Sequence, residues 1–254
     1  MKIMYTIIFF ILGTVMGSFY TVVGLRLPKK EDFIKGRSHC DKCKHELYLY
    51  EMIPILSYIL QKGKCRYCHE KIDAMMPLME FFSGLLFAVS YYSYGFSLDL
   101  LIALGIVSLL LIVMVTDLTY LIIPDEVLIF FSIYFIIVQF FRVGWKATLI
   151  HILTGLFLFA IMYLIMLLGN KLLHKESLGG GDIKLMFLFG LVLDPLLGVL
   201  SIFFGSLFAL PISLVILIKQ KERLIPFGPF LLMAFAFIFF TKITSSMVIS
   251  FLGF

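Results

Sequence analysis

Charge is scarce in this sequence. Only 15% of the 254 residues are Asp, Glu, Lys or Arg, against 61% that are hydrophobic. Tryptophan occurs once and cysteine four times, whereas phenylalanine occurs 28 times. A soluble domain of this size has no use for so much apolar side chain, which excludes the soluble fold classes. Internal repeats and low-complexity tracts are also missing. In their place stand apolar runs of about 20 residues, the length that crosses a bilayer as a helix. They fall near 3–25, 77–95, 98–116, 121–141, 147–168, 178–194, 197–218 and 225–242. The expected fold is therefore an all-α polytopic membrane protein of about eight transmembrane helices. The amino-terminal run carries Lys2 as a secretory signal would. It is too long for one, however, and ends in Gly24-Leu25-Arg26 without a small-residue cleavage site, so a retained helix is expected.

The few charges are unevenly placed. Eleven of the 21 basic residues lie between Arg26 and Met76, the one large polar stretch. Lys171, Lys175 and Lys184 fall in the fifth loop, and Lys219, Lys221 and Arg223 in the seventh. The even loops hold only Arg142 and Lys146. Cytoplasmic loops collect Lys and Arg, so the odd loops are expected to face the cytoplasm, with the amino terminus outside. The division that follows is a first transmembrane helix at 1–25, a cytoplasmic loop at 26–76 and a seven-helix membrane core at 77–254. Lysines in the loop can also meet anionic lipid.

All four cysteines lie in that loop. Cys40, Cys43, Cys65 and Cys68 form two Cys-x-x-Cys knuckles, a pattern suited to structural zinc held by four thiolates. Two disulfides or four reduced thiols are the alternatives, and disulfides are rare in the cytoplasm. The loop has no continuous apolar core, so metal binding would supply its folding energy. Four protein ligands leave no open coordination position, which argues against a catalytic metal. His39, His45 and His69 flank the knuckles and are expected to surround the site without ligating.

Two carboxylates stand at the edges of apolar runs. Asp117 ends the third segment, and Asp182 follows Gly179-Gly180-Gly181 at the start of the sixth. Alternation of the loops brings both to the cytoplasmic face. Ionisable residues at membrane depth are costly and mark function by default. Two carboxyls that approach one another cannot both ionise easily; the ionised member can take a proton from water while the protonated one assists the carbonyl and the leaving amine. The bland alternative makes Asp117 a helix-end residue among headgroups and Asp182 a helix cap. Lys184 and a helix amino terminus would favour a charged Asp182, whereas Asp117 and poor solvation would favour the neutral form, and the two effects compete. Asp125, after Pro124, is expected to cap a helix, while Asp99 and Asp194 read as turn residues.

These residues together resemble the bacterial type IV prepilin peptidases, membrane aspartyl proteases of the Gly-x-Gly-Asp class. Gly17-Ser18-Phe19 with Arg26-Leu27-Pro28 resembles the family's opening motif. Ser38-His39-Cys40, Ile53-Pro54-Ile55-Leu56-Ser57 and Lys62 to Cys68 resemble its zinc loop, with His39 where arginine is common. Pro77 and Glu80, Asp117 with Ile123-Pro124-Asp125, Gly179 to Leu185, and Pro226-Phe227-Gly228-Pro229 match in order along nearly the whole chain. The resemblance implies a bifunctional enzyme of the bacterial plasma (inner) membrane, with Asp117 and Asp182 catalytic. Such enzymes cut the short basic leader of type IV prepilins and pseudopilins after a glycine. Many then methylate the new amino terminus with S-adenosylmethionine. No residues for that cofactor are readable here, since no glycine-rich loop of the soluble methyltransferase kind is present. The implied partners are the pilin-type substrates and the lipid bilayer, with no nucleic acid. A non-catalytic scaffold or ion-coupled transporter would use the paired acids differently. A related archaeal preflagellin peptidase would not share the cysteine knuckles.

Overall fold

A computed structural model describes residues 1–33, 38–40, 42–174, 179–219, 226–251 and 253. Lys35, Arg37, Lys175, Lys221 and Arg223, which contribute to the charge bias, lie outside the described residues. The α-helices are α1 (Lys2–Arg26), α2 (Leu56–Leu60), α3 (Met75–Tyr94), α4 (Leu98–Tyr120), α5 (Asp125–Leu173), α6 (Gly180–Val192), α7 (Pro195–Lys219), α8 (Gly228–Thr241) and α9 (Ser245–Phe251), with two isolated β-bridges, His39 to Glu46 and Lys64 to Lys71, in the cysteine loop. Each of the eight apolar runs coincides with helix. The chain parts into two compact units, Met1–Gly95 and Phe96–Phe254.

Among the described residues, five helices are long and apolar enough to cross a membrane, or six if α8 and α9, bent by 91°, form one span. The chain is an all-α, multi-pass membrane protein. The expectation of about eight differs from this count at two places in the chain. First, α5 is continuous by its hydrogen bonding but breaks at Gly144, whose φ of 80° and ψ of 168° are not helical. A straight helix would carry Leu128 and Leu156 about 42 Å apart. Both line one cavity, so the chain reverses at Gly144 and α5 is a hairpin of two helices, 125–143 and 145–173. Second, α6 has 13 residues, about 20 Å of helix against roughly 30 Å of hydrocarbon. The sequence places its start close to Asp182, and α6 does begin there.

In the first unit α1 packs along α3. The approach is close because small residues meet: a Cβ at Gly17 would lie 2.6 Å from the Cβ of Ser83, and one at Gly13 would lie 2.7 Å from that of Phe87. Their outward faces carry Ile7, Ile11, Phe81 and Phe82, apolar side chains left to lipid.

In the second unit α4 and α6 form the interior. Val113, Leu185 and Phe189 are fully buried, and Phe189 stacks on Phe235 of α8 at 4.4 Å between ring centroids. Gly190 of α6 crosses Gly155 of α5 so tightly that a Cβ there would lie 2.5 Å from the Gly155 Cα. Gln139 donates to the Leu191 carbonyl at 2.8 Å, fixing the far end of α6. A helix too short to span alone is thus held inside protein, where membrane-depth chain ends are tolerated.

Candidate active site

Three chain breaks meet at one end of the second unit. The first is the turn after α4. Leu121 adopts a left-handed conformation (φ 57°), and its N–H closes on the Asp117 carbonyl at 3.0 Å. That ends the helix just after Asp117, whose side chain points into protein and is 6% exposed. The second is the amino terminus of α6, where Asp182 is the third helical residue and is 8% exposed. The third is the amino terminus of α8. There the Gly228 N–H, one of the donors a helix start leaves unpaired, donates to Asp117 Oδ2 at 3.1 Å.

Ile123 is the wall on which these breaks converge. A Cβ at Gly181 would lie 2.8 Å from the Ile123 Cβ, and one at Gly228 would lie 2.8 Å from its Cδ1. The two carboxyls are buried at the same end, Asp182 next to Gly181 and Asp117 held by Gly228, both glycines packed on Ile123. The helix-end and cap positions expected for these residues do not describe them fully. Asp117 is buried and hydrogen-bonded across 111 residues of sequence, and the cap position of α6 is Gly179.

The glycine run has a physical pattern. A side chain at Gly179 would stand 3.1 Å from Asp182 Oδ2 and one at Gly181 would strike Ile123, whereas one at Gly180 would meet nothing within 4 Å. The middle position of a Gly-x-Gly-Asp motif is free because it faces open space.

Other sequence expectations need correction. Lys184 does not neutralise Asp182; its Nζ lies 2.6 Å from Asp125 Oδ1, tying α6 to the start of α5. Asp125 is consequently an ion-pair partner, and the cap position belongs to Pro124. Asp99 lies in the first turn of α4 and pairs with Arg142 at 2.6 Å, whereas Asp194 keeps the expected turn position between α6 and α7 and accepts a hydrogen bond from Ser245 at 3.0 Å. Asp99 lies about 27 Å along α4 from Asp117, so these contacts belong to the other end of the unit. The Gly228 donor and the Ile123 wall were not anticipated. The Pro226 to Pro229 motif was the only signal for the first.

The cysteine knuckles form a separate centre in the first unit. They fold alike. Cys40 and Cys65 each donate N–H to the carbonyl five residues on (His45 and Glu70, at 3.0 and 2.8 Å), and each is followed by a left-handed residue, Lys44 or His69, whose N–H returns to it. All four Sγ atoms lie within 4.8 Å of one another, a cluster able to hold a metal. Cys40 to Cys68 is 3.7 Å and Cys43 to Cys65 is 4.0 Å. Ligands 2.3 Å from a tetrahedral zinc would be about 3.8 Å apart, so the donor set fits that ion. The Cys43 backbone N–H lowers the Cys40 thiol to about 7. Cys68 is pulled down by the Glu70 N–H, but desolvation and the neighbouring thiols raise it to about 11. Lys42 pairs with Glu70 and links the knuckles. None of the flanking histidines belongs to the cluster.

Glu80 has a defined task. It is buried on α3, and its Oε2 accepts the Ile55 N–H at 2.7 Å. Ile55 sits at φ 63°, ψ −52°, and Leu56 N–H reaches the Pro54 carbonyl at 2.6 Å: a γ-turn, strained for a β-branched residue. Glu80 holds that turn, a contact no sequence pattern announces.

The sequence is similar to known proteins along most of its length. A family model described as the bacterial peptidase A24 N-terminal domain matches residues 11–94, and one described as the type IV leader peptidase family matches residues 104–214. A prepilin leader peptidase/N-methyltransferase of Bacillus subtilis is 35% identical over 228 residues, covering 87% of this chain and 88% of its own. One from Vibrio cholerae is 30% identical over 257 residues, covering 95% and 98%. No solved structure matches. With relatives this similar along almost its full length, the chain belongs to the type IV leader peptidase family.

Proposed function

We propose that the chain is a membrane aspartyl endopeptidase that removes the leader of type IV prepilins and pseudopilins after a glycine, and then methylates the new amino terminus. One observation carries the peptidase reading: Asp117 and Asp182, far apart in sequence, are both buried at the end of the unit where Gly181 and Gly228 meet Ile123. The family supports the same activity, since its members named above are prepilin leader peptidase/N-methyltransferases.

The chemistry follows from the pair. One ionised carboxylate takes a proton from a water molecule, whose oxygen then bonds to the scissile carbonyl carbon. The protonated partner hydrogen-bonds the carbonyl oxygen during that attack. As the C–N bond breaks, a carboxyl proton passes to the departing amine. The Gly228 N–H fixes Asp117 by one oxygen, so the carboxyl is positioned before substrate arrives.

The finer organisation belongs to the same proposal. The α5 hairpin, short α6 and α8 give eight membrane segments, with the Asp117 end and the cysteine loop cytoplasmic by the Lys and Arg bias. Zinc on Cys40, Cys43, Cys65 and Cys68 is structural and would clamp the loop. S-adenosylmethionine would supply the methyl group. No described residues are assigned to it, and peptide cleavage uses none of its chemistry. The test is leader release from a prepilin by the detergent-purified chain, followed by mass spectrometry. Release of a fragment ending in glycine supports the reading, and an intact prepilin after prolonged incubation defeats it.

A further inference from the structure

Glu80 fixes the depth at which one part of the cysteine loop sits. Its carboxylate accepts the Ile55 N–H at 2.7 Å, so the Ile55 turn lies within one side chain's reach of the α3 backbone. On α1 the same level is Gly17, where a Cβ would stand 2.9 Å from the Glu80 Cα. Gly17 is about 14 Å along α1 from the basic end of that helix at Arg26. The opposite end of the helix pair is marked by Lys2, whose Nζ lies 4.1 Å from the centre of the Tyr92 ring. A cation and an aromatic ring of this kind sit at a membrane boundary. From there to the Glu80 level is about 22 Å along α1 and about 18 Å along α3. The hydrocarbon core is roughly 30 Å thick. Ile55 is therefore held at the hydrocarbon boundary and not in the water beyond it.

The residues after Ile55 suit that depth. In α2, Leu56, Ile59 and Leu60 share one face by their i, i+3, i+4 spacing and are 57%, 62% and 81% exposed. The inner side of α2 is committed to protein. A Cβ at Gly63 would lie 2.9 Å from the Tyr58 hydroxyl, and the Gly63 N–H donates to the Tyr58 carbonyl at 2.9 Å. The Gly63 carbonyl in turn accepts the Ile72 N–H at 2.9 Å, which ties α2 to the second knuckle. The short turn Leu49–Glu51 contacts α2 and is flanked by Tyr48 and Tyr50, exposed rings stacked at 5.7 Å. Arg66 lies 5.7 Å from the centre of the Tyr50 ring, and exposed Lys62 and Lys64 follow α2 directly. The carboxylate of the turn is turned inward: Glu51 is buried and accepts the Tyr48 N–H at 2.9 Å.

We propose that α2 and the Leu49–Glu51 turn form an interfacial anchor that lays the cysteine loop on the lipid surface. Leu56, Ile59 and Leu60 enter the boundary between headgroups and acyl chains, where apolar faces of peripheral helices bury. Tyr48 and Tyr50 occupy the headgroup layer, which suits an apolar ring with a polar tip. Lys62, Lys64 and Arg66 meet anionic phosphates at the rim. Lipid is the occupant because of depth: the Glu80 tether places this face at a level where α1 and α3 are themselves apolar and already turn Ile11 and Phe82 to the bilayer. Five residues of helix would not bind a membrane alone, but here the knuckle and the tether hold them in place before lipid is met. The consequence is that the cysteine cluster is fixed against the bilayer instead of moving freely on its two connections. The inference stands on the first unit alone and does not need the peptidase reading.

Tryptophan fluorescence tests this, because the chain has a single tryptophan. Trp145→Phe gives a silent background, and Ile59→Trp or Leu60→Trp then reports from α2. Both positions are exposed, so the new ring needs no repacking, and the thermal transition of each variant checks the fold. The full chain is reconstituted in vesicles of phosphatidylglycerol and phosphatidylethanolamine whose acyl chains carry bromine near the headgroup end. Phe82→Trp, on the outward face of α3, is the lipid-facing reference. The expected result is that bromine quenches the emission from both α2 positions by at least half as much as it quenches the reference, while aqueous iodide quenches them little. Emission quenched by iodide and not by bromine would place α2 in water and overturn the proposal. Emission shielded from both quenchers would place α2 against protein and overturn it equally.

Discussion

Gly181→Ala is the most informative single substitution in this molecule. The new Cβ would lie 2.8 Å from the Cβ of Ile123. Ordinary carbon contacts need about 3.5–4.0 Å, so something must move by roughly 0.7 Å or more. The struck atom is next to the main chain, where rotation of the side chain brings little relief. The 122–124 segment or the start of α6 must therefore shift, and each carries or abuts one carboxyl. Overpacking of this kind costs about 1–3 kcal/mol of stability, which a folded membrane protein survives. The catalytic penalty is larger, because a misplacement near 1 Å costs about a hundredfold in rate. Gly180→Ala is the matched comparison: its Cβ meets nothing within 4 Å, and alanine favours helix. Leader cleavage and thermal unfolding of both variants, measured side by side, should show Gly181→Ala folded but about a hundredfold slower, and Gly180→Ala within about twofold of the parent. Equal activity in the two variants would refute the reasoning that the run positions Asp182 by packing on Ile123.

Other outcomes follow from the same structure. Metal analysis of protein purified without chelator should find about one zinc per chain, and Cys65→Ser should lose it; a metal-free protein with reduced thiols contradicts the knuckle assignment. Cys40 is lowered to about 7, so its thiolate is present above that pH and lost below it. Zinc affinity should then rise with pH through about 7, with protons released on binding, as an indicator dye can follow. Glu80→Met strands the Ile55 N–H and should destabilise the first unit by about 1–3 kcal/mol, while Glu80→Gln, which keeps an acceptor, should cost less in thermal unfolding. The Asp125–Lys184 pair is half exposed, so Asp125→Asn should change stability by about 1 kcal/mol at most.

The sequence was legible where physics leaves a local mark. Apolar runs of membrane length disclosed the helices, and the Cys-x-x-Cys spacing disclosed the cluster. Asp117 and Asp182 stood out because carboxyls are costly beside hydrocarbon. Span counting was harder. Gly144 reverses the chain with a single residue, so two apolar runs fuse into one helix by hydrogen bonding while remaining two in space. Proximity in sequence overstates Lys184 as a neighbour of Asp182: the two are two residues apart, but on a helix positions i and i+2 face apart. Asp125, 59 residues away, takes the ammonium instead. Contacts such as Gly228 to Asp117 or Ile55 to Glu80 join distant segments through a backbone N–H, which every residue but proline has. No residue type advertises them.

The central claim is that Asp117 and Asp182 act as one unit. It is tested most directly by leader cleavage in Asp117→Asn, Asp182→Asn and the double variant, each checked for folding by its thermal transition. Groups that act together lose activity together, so each single variant should fall to background and the double should be no worse. Substantial cleavage by either single variant, in correctly folded protein, would contradict the account.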